Sequence, residues 1–314
     1  MIYALSLNPC LDKSARVARF APDAPNRIRV ERTDVGGKGV NVARALHALA
    51  GTGTLVSLDF EGEPVKAAMA AEGLTGICLP LPGQLRVNLK LRDEAAGRTI
   101  EINESGPEVH PEALRAMEDR LLSLCREGDW VSLSGSLPSG AAQDTYRRLC
   151  RRLNAQGCQV AADCDGTALA LAIQAHPALI KPNAGEFQAL TGVDPADTDA
   201  AVEACRGLIR QGVGRVCLSR GAEGALLVSA RGAWRCPAAD VPVRGLQGAG
   251  DSMLAALMLA LARGDAEPIA LRYASAAAGA SVMRPGTLLC RREDVERLLP
   301  TMPEAIQSLP ERSG

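Results

Sequence analysis

The chain has 314 residues, of which 47% are hydrophobic and 23% charged, so it can bury a sizeable core and is not expected to be globally disordered. Its formal net charge of −1 and its aromatic content of 3% argue against nucleic acid as a partner and against an aromatic stacking platform. No uncharged apolar stretch is long enough to span a bilayer, and the N-terminus lacks the basic region and the length of a signal peptide. We therefore expect neither a membrane nor a nucleic-acid partner.

Short apolar runs alternate along the chain with longer segments of helical periodicity. Strands are predicted, in chain order, at 2–7, 55–58, 130–133, 159–163, 179–181, 215–219 and 225–228. Helices are predicted at 40–50, 65–72, 111–125, 145–154, 186–190, 201–211, 252–262 and 268–282. Strands separated by helices of this length predict βαβ units and a doubly wound α/β fold, whose mostly parallel sheet binds ligands at the carboxyl ends of its strands.

Residues 85–104 interrupt this pattern with a predicted antiparallel hairpin. Strict alternation over 85–91 places Arg86, Asn88 and Lys90 on one face and apolar residues on the other. A polar turn follows, and the chain returns over 98–104. We expect one domain over residues 1–314, with a small β-sheet lid formed by the discontinuous segments of about 10–33 and 85–104.

Ten cysteines are spread along the chain without any C-x-x-C pair, so the usual spacing of a structural zinc site is absent. A chain of this length does not need disulfides to stabilise its fold. We expect reduced, buried cysteines in a cytoplasmic protein.

Residues 248–252, with the sequence Gly-Ala-Gly-Asp-Ser, lead directly into a predicted helix. Small residues allow backbone N–H groups to converge at a helix N-terminus, where the helix dipole favours an anion. Asp251 in such a turn can take a proton from a hydroxyl that attacks a phosphate; the alternative is an ordinary helix cap. A dinucleotide-binding fingerprint fails because Met253 occupies the place of its third glycine, and no P-loop motif is present.

A second glycine-rich segment, residues 36–41, precedes another predicted helix. Lys38 can hold a phosphate or a hydroxyl, and Asn41, one helical turn later, can hydrogen-bond a sugar. The alternative is a tight turn with a solvated lysine.

Six ordered segments together resemble signature motifs of the PfkB/ribokinase family of sugar kinases. They are residues 7–12 (L-N-P-C-L-D), 36–43 (G-G-K-G-V-N-V-A), 134–138 (S-G-S-L-P), 181–186 (K-P-N-A-G-E), 219–224 (S-R-G-A-E-G) and 248–252 (G-A-G-D-S). The resemblance covers nearly the whole chain. It implies a ribokinase-like α/β core with a β-sheet lid over the sugar, and a kinase that uses ATP and Mg²⁺.

The resemblance also implies roles for individual residues. Asp251 would be the catalytic base, and the N–H groups of Gly248, Ala249 and Gly250 would form an anion hole for the transferred phosphoryl group. The substrate would be held by Asp12, Gly37, Lys38, Asn41, Arg86, Asn88, Lys90, Asn103 and Ser134. The nucleotide site would comprise Lys181, Asn183, Ser219, Gly221 and Gly224, while Glu186 would hold Mg²⁺ through water.

The segment Arg86-Val87-Asn88-Leu89-Lys90 is similar to R-I-N-V-K of the family's 1-phosphofructokinase branch. The similarity implies that two cations clamp a phosphate already present on the substrate, whereas the residues alone also allow a solvated polar face. The implied reaction is phosphorylation of fructose 1-phosphate to fructose 1,6-bisphosphate. Tagatose 6-phosphate and fructose 6-phosphate are alternative acceptors.

Two departures from the family pattern leave another class of protein open. Gly245-Leu246-Gln247 replaces the usual Ser/Asp-Thr before the glycines, and the segment 58–64 is shorter than the family's corresponding loop. These departures are compatible with a non-catalytic sugar-phosphate sensor. A nicotinamide dehydrogenase lacks its fingerprint. The apolar face of a small exposed sheet invites pairing, so we expect a homodimer through the lid.

Overall fold

The computed structural model describes residues 1–303 and 307–308. Its strands are β1 (Ile2–Ser6), β2 (Cys10–Val17), β3 (Arg29–Gly36), β4 (Thr54–Asp59), β5 (Thr75–Pro80), β6 (Val87–Asp93), β7 (Arg98–Asn103), β8 (Trp130–Ser134), β9 (Gln159–Asp163), β10 (Leu179–Ile180), β11 (Arg215–Ser219), β12 (Ala225–Ser229), β13 (Gly232–Cys236) and β14 (Gln307–Ser308). Its helices are α1 (Lys38–Ala50), α2 (Pro64–Glu72), α3 (Pro111–Leu124), α4 (Thr145–Ala155), α5 (Gly166–Ile173), α6 (Ala184–Thr191), α7 (Thr198–Arg210), α8 (Ala249–Ala262), α9 (Glu267–Val282) and α10 (Arg292–Leu298).

The larger sheet contains ten strands within the described residues, in the order β14-β13-β12-β11-β10-β9-β8-β1-β4-β5. Pairing is parallel from β5 to β11 and antiparallel from β11 to β14. Strand order runs outward from β1 in both directions, so right-handed crossovers place helices on both faces. All five residues of β1 and of β8 are buried, as expected for strands covered on both sides. The predicted doubly wound, mostly parallel α/β fold is confirmed.

A separate four-stranded sheet, in the order β3-β2-β6-β7, forms the lid. The predicted hairpin is present as the antiparallel pair β6 and β7, and β2 joins it in parallel with β6. On the apolar face Ala15, Val17 and Leu91 form a small buried cluster of their own. Strand alternation places the polar residues Asp12, Asn88 and Lys90 on the opposite face. The register between β2 and β6 brings Asp12 beside Asn88.

A close approach of helix to strand positions the first glycine-rich segment. A Cβ atom on Gly39 would lie 2.2 Å from the Leu5 carbonyl oxygen, a distance that real contacts do not allow. Only glycine therefore lets the first turn of α1 pack against the carboxyl end of β1. This packing directs Lys38 and Asn41 to the edge of the sheet where parallel strands end.

Several elements were absent from the prediction. Helix α5 has an almost uniformly apolar sequence, so no helical periodicity marks it. Strand β5 contains Gly76 and Pro80 and is only partly buried, which weakens its strand pattern.

All ten cysteines are unpaired, and nine of them are buried. Within residues 1–303 and 307–308, no helix combines the length and the apolar character needed to cross a membrane.

Candidate active site

A cavity of about 410 Å³ lies between the carboxyl edge of the main sheet and the polar face of the lid. Segments that follow β1 and β8 form its floor, at the point where the strand order reverses direction. The structure brings to this cavity all nine residues predicted for the substrate: Asp12, Gly37, Lys38, Asn41, Arg86, Asn88, Lys90, Asn103 and Ser134. Gly248 and Asp251 line the same cavity.

The turn at the start of α8 places a carboxylate at the cavity wall. Gly248 precedes the helix with φ of 70°, and a Cβ there would lie 2.1 Å from Leu289 Cδ2. The left-handed backbone at this position favours glycine, and a side chain there would also have to displace the end of Leu289. Asp251, in the first turn, is only 7% exposed and accepts a hydrogen bond of 2.8 Å from Asn41 Nδ2.

The ionisation of Asp251 is shifted toward neutral pH. Burial raises the pKa of Asp251 to about 6, and the negative charge of Asp163 adds to the effect, while the hydrogen bond from Asn41 opposes it. A carboxylate with this pKa is ionised at pH 7 yet is a stronger base than an exposed aspartate, as general-base catalysis requires.

Behind the cavity, a buried carboxylate lies between two lysines. Asp163 is 1% exposed, with Lys38 Nζ 3.2 Å from Oδ1 and Lys181 Nζ 3.2 Å from Oδ2. Lys38 Nζ also lies 3.0 Å from Asp165 Oδ1 and 3.5 Å from Glu186 Oε1. These contacts hold the Lys38 ammonium at the floor of the cavity.

The charges of this array favour the ionised forms of Asp163 and Lys38. Burial alone would raise the pKa of Asp163, but Lys181 and Lys38 together hold it below its usual range. Burial would likewise lower the pKa of Lys38, yet the three surrounding carboxylates raise it. Lys38 therefore stays a cation at any pH near neutrality.

The lid side of the cavity carries two further cations. Lys90 Nζ lies 3.2 Å from Asp12 Oδ1. Arg86 donates hydrogen bonds of 3.0 Å to Asn88 Oδ1 and to the Asn8 carbonyl, and its Nε is buried without a partner. Two fixed cations on one wall can bind an anionic group such as a phosphate.

The residues predicted for the nucleotide site lie outside the cavity, around the ends of β10 and β11. Asn183 and Glu186 form a reciprocal capping box at the start of α6, with both hydrogen bonds at 2.9 Å. Ser219 pairs with Asn183 as an isolated bridge, and Gly221 and Gly224 follow it in the next turn with positive φ.

Lys181 is 4% exposed and lies beneath the first turn of α8. A Cβ on Gly250 would be 3.2 Å from Lys181 Nζ. The positive charge of Lys181 therefore lies directly below the backbone of this turn.

Several residues that shape the cavity were missed by the sequence analysis. Asp163 is the last residue of a predicted strand and Asp165 follows it, so the rule that sites lie at strand carboxyl ends could have found both. Thr287 lines the cavity and donates a 2.6 Å hydrogen bond from the core to Asp34 of the lid, a pairing across 253 positions that no local pattern shows. Cys10, Glu101 and Gln247 also line the cavity.

Comparison with known proteins identifies the class to which this fold and site belong. The model of the pfkB family carbohydrate kinases matches residues 5–294, so the chain belongs to this family and is an ATP-dependent phosphotransferase. Among its relatives, the 1-phosphofructokinase of Rhodobacter capsulatus is 38% identical over 84% of each chain. The ATP-dependent 6-phosphofructokinase isozyme 2 of Escherichia coli K12 is 29% identical over 95% of this chain and 97% of that protein. The structure of phosphofructokinase-2 from Escherichia coli in complex with fructose-6-phosphate superposes with a TM-score of 0.88, at 28% identity over 96% of this chain and 98% of the other.

The basicity of Asp251 generates a prediction for the variant Asp251→Asn. Removing the group that can accept the hydroxyl proton should lower kcat by about 10²–10⁴-fold, and wild-type kcat/KM should fall as the pH drops through 6. Because the folded-state pKa exceeds the ordinary value of 3.8, the ionised carboxylate costs stability as pH rises from 3.8 through 6. Asp251→Asn should therefore be more stable than wild type at pH 7, by up to about 3 kcal/mol, and this gain should vanish near pH 4.

Steady-state kinetics from pH 5 to 8 check the predicted effects on turnover. Denaturant unfolding of both proteins at about pH 4 and pH 7 checks the predicted difference in stability. Near-normal turnover of Asp251→Asn would exclude the role of base.

Proposed function

We propose that this kinase transfers the γ-phosphoryl group of ATP to the 6-hydroxyl of fructose 1-phosphate and forms fructose 1,6-bisphosphate. The observation that carries the proposal is that one cavity holds the cations Arg86 and Lys90 on its lid wall and Asp251 on its core wall. A substrate with a phosphate at one end and a reactive hydroxyl at the other matches this arrangement. The name of the relative from Rhodobacter capsulatus supports the same acceptor.

The proposed mechanism uses groups that are already in place. The acceptor hydroxyl attacks the γ-phosphorus of ATP, the new P–O bond forms as the bond to ADP breaks, and the proton passes to Asp251. The backbone N–H groups of Gly248, Ala249 and Gly250, at the positive end of α8, stabilise the charge on the transferred group. Lys38 adds a fixed cation on the cavity floor. Phosphoryl transfer depends mainly on such positioning and charge stabilisation.

We further propose that ATP binds along Asn183, Ser219, Gly221 and Gly224, with Lys181 supporting the turn from below. Mg²⁺ would neutralise charge on the ATP phosphates. Glu186 fits an indirect contact with it, because its side chain already accepts the Asn183 N–H and lies 3.5 Å from Lys38. Among the described residues, no cluster of three His, Cys, Asp or Glu forms a metal cage, so the donor set suits an ion that arrives with phosphates and keeps several waters.

The alternatives within the family are fructose 6-phosphate and tagatose 6-phosphate as acceptors. The relative named as a 6-phosphofructokinase supports the first. The same cavity can accept either molecule in principle, because each carries one phosphate and a free primary hydroxyl. A non-catalytic sensor is disfavoured, since binding alone requires no buried carboxylate at the head of an anion-binding turn.

A panel of acceptors should separate these functions. We expect ADP formation with fructose 1-phosphate to exceed that with fructose 6-phosphate or tagatose 6-phosphate by at least about tenfold in kcat/KM, and free fructose to react poorly. Arg86→Leu should raise the KM for the sugar phosphate about 10–100-fold with little change in the KM for ATP, because it removes a charge-assisted contact to the substrate phosphate.

Arg92→Leu is the matched control, since Arg92 is an exposed cation of β6, the strand that begins directly after Arg86, and does not line the cavity. Preference for another acceptor would replace the proposed substrate, and binding of sugar phosphates without any ADP formation would favour the sensor.

We also propose that the protein is a homodimer joined through its lids. Ile28, Val30 and Ile102, on or beside the lid, are 39%, 47% and 51% exposed, an apolar surface that a second copy would cover. The unpaired cysteines support a cytoplasmic location.

Light scattering tests the dimer at micromolar concentration. Wild type should have twice the chain mass of 32.8 kDa, and Ile102→Lys should shift the mass toward the monomer because a charge would be buried at the contact. Ile269→Lys, at a residue 59% exposed on α9, is the matched control and should remain dimeric. A monomeric wild type would contradict the proposal.

A further inference from the structure

Gln247 is a polar residue of the cavity to which no role has been assigned. It immediately precedes Gly248, lines the same cavity as Asp251, and its Oε1 is buried without a hydrogen-bond partner. In the part of the chain that the structure describes, the only other unpartnered buried polar side-chain atoms of cavity residues are Arg86 Nε and Ser134 Oγ. Arg86 and Ser134 are already predicted to bind the substrate. Of these three unpartnered atoms, Gln247 Oε1 is therefore the one for which no ligand has been proposed.

Two other polar side chains of the cavity, Asn41 and Thr287, are already paired with protein groups. Asn41 donates to Asp251, and Thr287 donates to Asp34. An amide oxygen that is buried without a partner costs roughly 1–3 kcal/mol. A ligand that supplies the missing hydrogen bond recovers this cost, so the orphaned group favours a bound molecule with a complementary polar atom.

The backbone holds Gln247 in a fixed place. Arg244 and Gly245 donate their N–H groups to the Val282 carbonyl at 2.7 and 3.2 Å. A Cβ on Gly245 would lie 2.8 Å from the Arg284 carbonyl oxygen, so the segment rests tightly on the end of α9. Leu246 is 75% exposed, whereas the next residue faces the cavity. The carboxamide is thus preorganised beside the reacting groups.

We propose that Gln247 is a specificity-determining residue whose carboxamide hydrogen-bonds a hydroxyl of the acceptor sugar close to the hydroxyl that is phosphorylated. The proposal rests on the function proposed above and extends it to one contact. A hydroxyl can both donate and accept a hydrogen bond. It can therefore pair with the carboxamide whether the oxygen or the NH2 group faces the cavity. A site that hydrogen-bonds a particular hydroxyl discriminates strongly against isomers that misplace it, because the protein group is then left unpaired.

The variant Gln247→Met tests this contact, because methionine keeps the length of the side chain and removes its polar atoms. Titration calorimetry with fructose 1-phosphate, in the absence of ATP, should show about 10–100-fold weaker binding. The kcat/KM should fall by a similar factor with the KM for ATP within about twofold of wild type. The melting temperature should equal or exceed that of wild type, because an unpaired buried polar group has been removed.

A comparison of epimers identifies the hydroxyl. The wild-type preference for fructose 1-phosphate over its C3 and C4 epimers should decrease at least about tenfold in Gln247→Met for the epimer whose altered hydroxyl the carboxamide contacts. Leu246→Met is the matched control, since it introduces the same residue at the exposed neighbouring position and should change neither binding nor preference.

Several results would overturn the proposal. Fructose 1-phosphate affinity within twofold of wild type would show that the carboxamide makes no contact with the sugar. A lower melting temperature with unchanged epimer ratios would assign Gln247 a structural role. If wild type binds fructose 1-phosphate but does not phosphorylate it, the proposed function fails while the calorimetric test of Gln247 still stands. If wild type does not bind it, both proposals fail.

Discussion

The site depends on one buried ionic interaction, in which Asp163 lies between the ammonium groups of Lys38 and Lys181. The three residues come from the end of β9, the start of α1 and the position after β10, so the interaction joins three separate parts of the carboxyl edge. An isolated buried charge would be costly, and each member is retained as an ion because the others compensate its desolvation. Loss of Asp163 would remove the carboxylate that neutralises the buried ammonium of Lys181 under the cavity floor.

The charges of Asp163, Lys38 and Lys181 also shift the pKa of Asp251. Asp163 raises the pKa of Asp251 while Lys181 and Lys38 lower it, so the basicity of Asp251 reflects a balance between burial and three nearby charges. Lys181 lies against the backbone of Gly250 and brings positive charge beneath the first turn of α8. The small size of Gly250 suits this close approach, because a Cβ atom there would lie 3.2 Å from Lys181 Nζ, a tighter contact than most Cβ atoms make. In the mechanism proposed above, this network supplies positive charge beneath the turn that receives the phosphoryl group.

Much of this arrangement was predictable from local sequence. Periodicity located most helices and strands, and the rule that ligands bind at strand carboxyl ends placed the glycine-rich segments on one edge. Alternation over 85–91 predicted correctly that Arg86, Asn88 and Lys90 share a face, because side chains in a strand alternate strictly. These features depend only on residues that are near one another in the chain.

What was missed depends on residues that are distant in the chain. The partners of Lys38 at Asp163 and Asp165 lie more than a hundred positions away, and nothing near Lys38 indicates them. The position of β2 between β3 and β6, with parallel pairing to β6, depends on how three segments assemble in the lid. In the sequence, Gln247 stood out only as a departure from a family motif. That its oxygen lacks a hydrogen-bond partner depends on how the segment packs against the end of α9.

The most direct test of the central claim is the titration of Asp251 itself by carbon NMR, with the aspartate carboxyl carbons labelled. We predict one resonance that titrates with an apparent pKa near 6 and is missing from the spectrum of Asp251→Asn. A wild-type spectrum in which every aspartate titrates near the ordinary value of about 3.9 or below would contradict the account, because the buried charges would then leave Asp251 an ordinary carboxylate.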